Sequence, residues 1–107
     1  MKIAVPTDDG FIIGSQIRYF RGYFVATVMA CKIVEEELRW NLLSEILTSE
    51  HGFYYNLADC DAVILNKGNT GLGALLAAKG KEIIYTEETL ISQAVTNYLK
   101  TTLVLTD

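Results

Sequence analysis

The sequence predicts an α/β fold, a mixed β-sheet lying between layers of helices to give three layers. Three observations predict it. Residues 62–65 (Ala-Val-Ile-Leu) are a continuous apolar run, too short for a helix and rich in β-branched side chains. Such a run reads as a strand buried on both faces, which requires helical cover on each side. A glycine-rich turn then leads into Leu72, Leu75 and Leu76, recurring at helical spacing among alanines. Finally, hairpin-like runs come first and an alternation of β and α follows, the order expected of a mixed sheet.

Taken in order, Ile3-Ala4-Val5 is a short apolar run ending at Pro6 and is predicted to be a central strand. Thr7-Asp8-Asp9-Gly10 is a strong turn signal. Phe11-Ile12-Ile13 reads as a brief second strand stopped by Gly14-Ser15. Residues 16–22 show neither period and read as a loop or one helical turn, carrying Arg18 and Arg21 beside two aromatics. Residues 23–30 are apolar on both alternate sets and predict a buried strand. In residues 32–40, Glu35, Glu37 and Arg39 alternate with Val34, Leu38 and Trp40, interrupted by Glu36, which predicts a half-exposed strand with one wet face. The two runs are close enough for an antiparallel hairpin turning near Ala30-Cys31-Lys32. The charges on the second run would guard a sheet edge against pairing with other chains.

Residues 42–48 are ambiguous. Ser49 is a plausible N-cap for a helix to about Ala58, with Phe53 and Leu57 one turn apart. The central strand and its helix follow, and Gly80 supplies the helix stop. Residues 82–85 form a strand. Thr86 is predicted to cap the clearest helix of the chain, with Glu87 and Glu88 in its first turn and Leu90, Ile91, Ala94, Val95, Tyr98 and Leu99 as its apolar stripe. Leu103-Val104-Leu105 reads as a short final strand or a docked tail.

The chain has 107 residues, half of them hydrophobic, which fits one domain with a real core. A formal net charge of −4 without a Lys/Arg cluster argues against nucleic acid as a partner. No stretch approaches the length needed to span a bilayer, and the opening run is not a leader, so a cytoplasmic protein without membrane contact is expected. Cys31 and Cys60 do not form a C-x-x-C pair and are expected to be free thiols.

If residues 3–5 and 62–65 are adjacent parallel strands, Thr7, Asp8 and Asp9 lie beside the Gly68, Asn69, Thr70, Gly71 and Gly73 loop at one rim, where open α/β sheets bind ligands. Arg18 and Arg21 leave from the same end. Loop amides at a helix N-terminus favour an anion, so these ten residues are the candidate ligand-binding set. The alternative for the aspartates is that they only bond their own turn. The alternative for the glycines is a tight turn and close packing of helix on sheet. The glycine spacing matches neither G-x-G-x-x-G nor a phosphate-binding P-loop.

Other chemistries find less support. Cys60 precedes its strand and the glycine loop follows it, about 16 Å away at strand rise, so the two cannot share a metal. His51, the sole imidazole, reads as a surface side chain. Asp8 and Asp9 end one strand while Asp61 begins another, which opposes a two-metal nuclease. No Ser-His-Asp or Cys-His arrangement can be built, and no catalysis is expected.

Three segments resemble a known family, the dinitrogenase iron–molybdenum cofactor biosynthesis or NifX-like proteins. These are residues 1–10 (Met-Lys-Ile-Ala-Val-Pro-Thr-Asp-Asp-Gly), Cys60-Asp61-Ala62-Val63-Ile64 with the glycine loop after it, and residues 88–99 ending in Asn97-Tyr98-Leu99. The resemblance covers nearly the whole chain and implies a ribonuclease-H-like fold. It also implies a small binding or carrier role, with an iron–sulfur or iron–molybdenum cluster precursor as ligand. In this sequence Ile17 stands where the family's His-Phe-Gly-Arg type motif has histidine, and Arg21 lies one place from that motif's arginine. A regulatory or protein-interaction module, itself a homo-oligomer or docking another protein, is the second function class.

Overall fold

The computed structural model describes residues 1–14, 22–30, 32–40 and 57–106. Among the described residues five strands and two helices follow one another as β1 (Lys2–Thr7), β2 (Gly22–Met29), β3 (Lys32–Trp40), β4 (Ala62–Asn66), α1 (Thr70–Ala78), β5 (Glu82–Thr86) and α2 (Ile91–Thr106). They form one mixed sheet in the order β3-β2-β1-β4-β5. β1 is central, antiparallel to β2 and parallel to β4, and β5 runs parallel to β4. The parallel neighbours expected from the two apolar runs are therefore adjacent, with Ile3 opposite Ala62 and Ala4 opposite Val63.

Both faces of this centre are covered, as the apolar runs require. Ala4, Val63 and Leu65 point to one side, where they pack with Leu57, Cys60 and the α1 residues Leu72 and Leu76. Ile3, Val5, Ala62 and Ile64 point to the other, against Ile91, Ala94 and Val95 of α2. Each Val, Leu or Ile among them, fully removed from water, contributes roughly 1.5–3 kcal/mol before entropy is counted. α1 and α2 thus lie on opposite faces, and the sheet is the middle of three layers. Among the described residues no helix is long and apolar enough to cross a membrane.

Pro6 belongs to β1, opposite Tyr23. It is tolerated in a central strand because β1 has by then left the pairing with β4. Its carbonyl accepts instead from the Gly14 amide at 2.9 Å, and Thr7 bridges to Ile13. The predicted strand at residues 11–13 is reduced to two isolated bridges, Thr7 with Ile13 and Ile12 with Leu90. The β2–β3 hairpin is present, closing at Met29 and Lys32. Ala30 takes the positive φ of 53° that such a short connection demands, the conformation whose usual glycine or asparagine is missing from the sequence.

Four expectations are corrected. Thr86 does not cap α2: it is the last residue of β5, and the helix starts five residues later at Ile91. The Thr86 hydroxyl accepts from the Glu88 amide at 3.0 Å, so the local bond resembles a cap but closes a turn. Leu90 leaves the buried stripe for its bridge to Ile12, and Leu75 is exposed on α1. Residues 103–105 continue α2 and form neither strand nor separate tail. β3 is an edge strand as its charges suggest, but its apolar side is exposed as well as its charged side. The helix expected from Ser49 to about Ala58 lies outside the described residues, save for Leu57, which is fully buried, and Ala58, which is exposed in a turn.

Candidate functional site

The carboxyl end of β1 is built around one hydroxyl. Thr7 is completely buried; its Oγ1 donates to the Ile12 carbonyl at 2.7 Å and accepts from the Gly10 amide at 2.9 Å. Asp9 works the same turn from outside, its Oδ1 accepting from the Phe11 and Ile12 amides at 2.8 and 2.9 Å. Those amides, Ile12 first and Phe11 second, hold the Asp9 carboxyl below the usual carboxylate range. Gly10 has a φ of 88°, which explains a glycine there. For Asp9 the turn-bonding alternative is thus the observed one, while Asp8 is half-buried on the same loop.

The carboxyl end of β4 turns over Asn66. Its side-chain oxygen accepts from the Gly68 amide and its carbonyl from the Asn69 amide, each at 2.9 Å. The first bond of α1 runs from the Gly73 amide to the Asn69 carbonyl at 3.2 Å, so the preceding amides of Thr70, Gly71 and Leu72 lie before the helical ladder begins. This first turn has no side-chain cap and no acidic residue. Thr70 and Gly71 are exposed, whereas Asn69 is buried. The three glycines differ in what they do. A side chain at Gly71 would enter open space, and one at Gly68 would meet only Asn66 Oδ1 at an ordinary 3.4 Å. Of the three, Gly73 alone has a close neighbour, the hydroxyl end of the Tyr85 ring of β5, which would have to shift to admit a side chain. The role of Gly73 is close packing of helix on sheet.

The structure places these two turns at one rim. β1 and β4 run parallel as neighbours, so the turns leaving their carboxyl ends share one edge of the sheet, and Gly22 opposite Thr7 brings the start of β2 to the same end. Arg18 and Arg21 lie outside the described residues. A further segment belongs to this rim and was not foreseen: residues 86–91. The Lys67 amide donates to the Thr86 carbonyl at 3.0 Å, the Ile13 amide to Thr89 and the Ile91 amide to Phe11. Only the long-range pairing of β4 with β5 delivers this segment there, so the sequence held no local signal for it. With it come Glu87 and Glu88. Glu87 pairs with Lys67 at 2.9 Å, in full solvent contact, and Glu88 accepts from Asn97 at 3.1 Å. The described rim therefore carries Asp8, Asp9, Glu87 and Glu88 against Lys67 alone.

A separate ionic group joins β3 to the turn before β4, its Arg39 level with Pro6 through Tyr23. Asp59 receives both terminal nitrogens of Arg39, at 2.6 and 2.9 Å, and Lys2 Nζ at 3.0 Å. The Arg39 guanidinium, and Lys2 after it, hold the Asp59 carboxyl well below the usual carboxylate range. Cys60 lies beneath, free and buried, and burial followed by the nearby Asp59 charge pushes its thiol up to about 11. A thiol so protonated is a poor metal ligand and a poor nucleophile. Asp61 accepts from the Lys2 amide at 2.9 Å, at the start of β1 and far from Asp8 and Asp9. Cys31 and His51 lie outside the described residues. Among the described residues no three His, Cys, Asp or Glu side chains converge to hold a metal ion. A shallow polar cleft of about 340 Å³ runs along α2 between Glu88 and Lys100, and none of the predicted ligand residues lines it.

No family model matches the chain, and no curated protein matches it. Solved structures do. The chain is similar to the crystal structure of PH0822, with a TM-score of 0.76 and 12% identity over 94% of this chain and 90% of that one. It is also similar to the crystal structure of MJ0327 from Methanocaldococcus jannaschii, described as a candidate dinitrogenase, with a TM-score of 0.70 and 14% identity over 94% of this chain and 89% of that one. At such identities the likeness is one of fold, and it extends over nearly the whole of each chain.

Proposed function

We propose that this chain is a small, non-catalytic cytoplasmic binding domain of the NifX-like type, with a ribonuclease-H-like fold and an anionic ligand held at the carboxyl rim of its sheet. The observation that carries the reading is the adjacency of parallel β1 and β4, which sets the uncapped first turn of α1 beside the Thr7–Asp9 turn. The structural likeness to MJ0327 supports the family reading, and the antiparallel hairpin leading into a parallel β-α-β unit supports the fold reading. A helix terminus attracts an anion by roughly 0.3–1 kcal/mol. Asp9 opposes this less than its charge suggests, because the Phe11 and Ile12 amides already face it. Weak binding follows, with an iron–sulfur or iron–molybdenum cluster precursor as the cargo the resemblance favours. The described residues offer no thiolate or imidazole for such a cluster at this rim, so they would hold it as an anion, through amides.

A second reading keeps the fold and omits the ligand, leaving an interaction module. The acidic balance of the described rim favours it. Titration of isotopically labelled protein with molybdate, and anaerobically with isolated cluster, separates the two. Amide shifts should concentrate at Gly68, Thr70, Gly71 and Leu72. Gly71→Asp places a carboxylate in open space, where it favours the helix and repels an anion, so it should abolish the shifts without unfolding the protein. Shifts that follow Cys60 or His51 instead would move the site away from this rim, and no shifts at all would leave the interaction module.

A further inference from the structure

We infer that the face of the sheet presenting Leu38 and Trp40 is where a second copy of this chain docks. α2 packs on this side over Ile3, Val5, Ala62 and Ile64, and so covers β1 and β4. The hairpin side of the same face is different. Phe24 is half-buried, and opposite β2 the edge strand β3 presents Ile33, Leu38 and Trp40, paired with Val28, Phe24 and Gly22. All three are exposed, Trp40 by 49%. The strip continues onto the neighbouring loop, because Gly10 lies against Leu38, so close that a methyl group on it would stand 3.2 Å from the Leu38 side chain. From there the chain leads to Phe11, which is 74% exposed, and to Ile12, bridged to exposed Leu90.

Single exposed apolar residues are ordinary, but six in one strip are not. Two aromatics and four aliphatics exposed to this degree present on the order of 500 Å² of apolar surface. A standard interface takes about 800 Å² from each partner, and homodimer interfaces are about 65% apolar, whereas looser partnerships resemble the remaining surface. The strip therefore matches the apolar part of one subunit's share in a homodimer. Glu36, the one charge on the strip, shifts the contact toward Leu38, Trp40 and Phe11. Edge-to-edge pairing of β3 is opposed by Glu35, Glu36 and Glu37 meeting the same residues, so the copies meet face to face about a two-fold axis.

Trp40 is the only tryptophan, and it reports on the contact directly. Sedimentation analysis and tryptophan emission, followed together from low micromolar to near-millimolar protein, should show the mass doubling as the emission moves to the blue. Phe11→Glu and Leu38→Glu, each checked for an unchanged circular dichroism spectrum, should return the mass to that of a monomer. Phe11 is on an exposed turn, so that variant remains informative if Leu38→Glu does not fold. A monomer at every concentration overturns the inference. So does a dimer with unshifted Trp40 emission, or one that persists in folded Phe11→Glu.

Discussion

Gly73 of α1 and Tyr85 of β5 are packed backbone against ring: a methyl group on Gly73 would stand 2.9 Å from Tyr85 Cζ and closer still to its hydroxyl. The contact fixes how near the helix approaches the sheet, and it separates two glycines that look alike in sequence. Gly73→Ala should lower stability in urea by roughly 1–3 kcal/mol, the usual cost of overpacking. Gly71→Ala, entering open space, should cost nothing and can gain up to about 1 kcal/mol in helix propensity. Adding Tyr85→Val to Gly73→Ala should recover most of the loss. Equal losses at the two glycines would disprove the packing role.

Thr7 organises the first turn of the rim from a fully buried position. Thr7→Val keeps the shape but leaves the Gly10 amide and Ile12 carbonyl without their shared partner. The expected loss is about 1–3 kcal/mol, the desolvation cost of buried polar groups left unbonded. Thr7→Ser should restore most of it, and hydrogen exchange at Gly10 should accelerate in the valine variant alone. Unchanged exchange in that variant would show that the turn holds without the hydroxyl.

The ionic group of Arg39, Asp59 and Lys2 makes stability depend on acid. The folded-state pKa of Asp59 lies below its unfolded value, so the native protein binds fewer protons there. Its contribution is complete above about pH 4, the unfolded carboxylate range, and is lost as pH falls below that. Because the Asp59 side chain is 49% exposed, screening limits the effect to about 1 kcal/mol or less. The gap in urea midpoint between the native protein and Asp59→Asn should therefore be measurable at pH 7, close towards pH 2, and shrink in high salt. A gap that stayed constant with pH would mean that Asp59 acts through its shape and not its charge.

Much of the fold was legible because it rests on short-range pattern. The run at residues 62–65 is apolar without alternation, and only a strand covered on both faces satisfies that. Ile91, Ala94 and Val95 recur at helical spacing and are buried as the period requires. Gly80 adopts the positive φ of 85° suited to a helix stop. These patterns predict a three-layer α/β domain. That β1 and β4 are parallel neighbours, which brings the Thr7 turn and the Gly68–Gly73 turn to one rim, is only a hypothesis from the sequence and is shown by the strand pairing.

Tertiary structure decided what local chemistry leaves degenerate. A threonine followed by two glutamates reads as a helix start, yet Thr86 is held in the sheet by pairing with Asn66 and by the Lys67 amide, and its hydroxyl closes a turn instead. Arg39, Asp59 and Lys2 are distant in sequence and meet only once the strands are ordered. Residues 86–91 join the rim for the same reason. Whether a glycine serves a ligand, a turn or a neighbour depends on what stands across from it, and for Gly73 that is Tyr85, twelve residues on and one layer away. Periodicity records which side of an element is buried; which other element it is buried against is set by the order in which the strands pair.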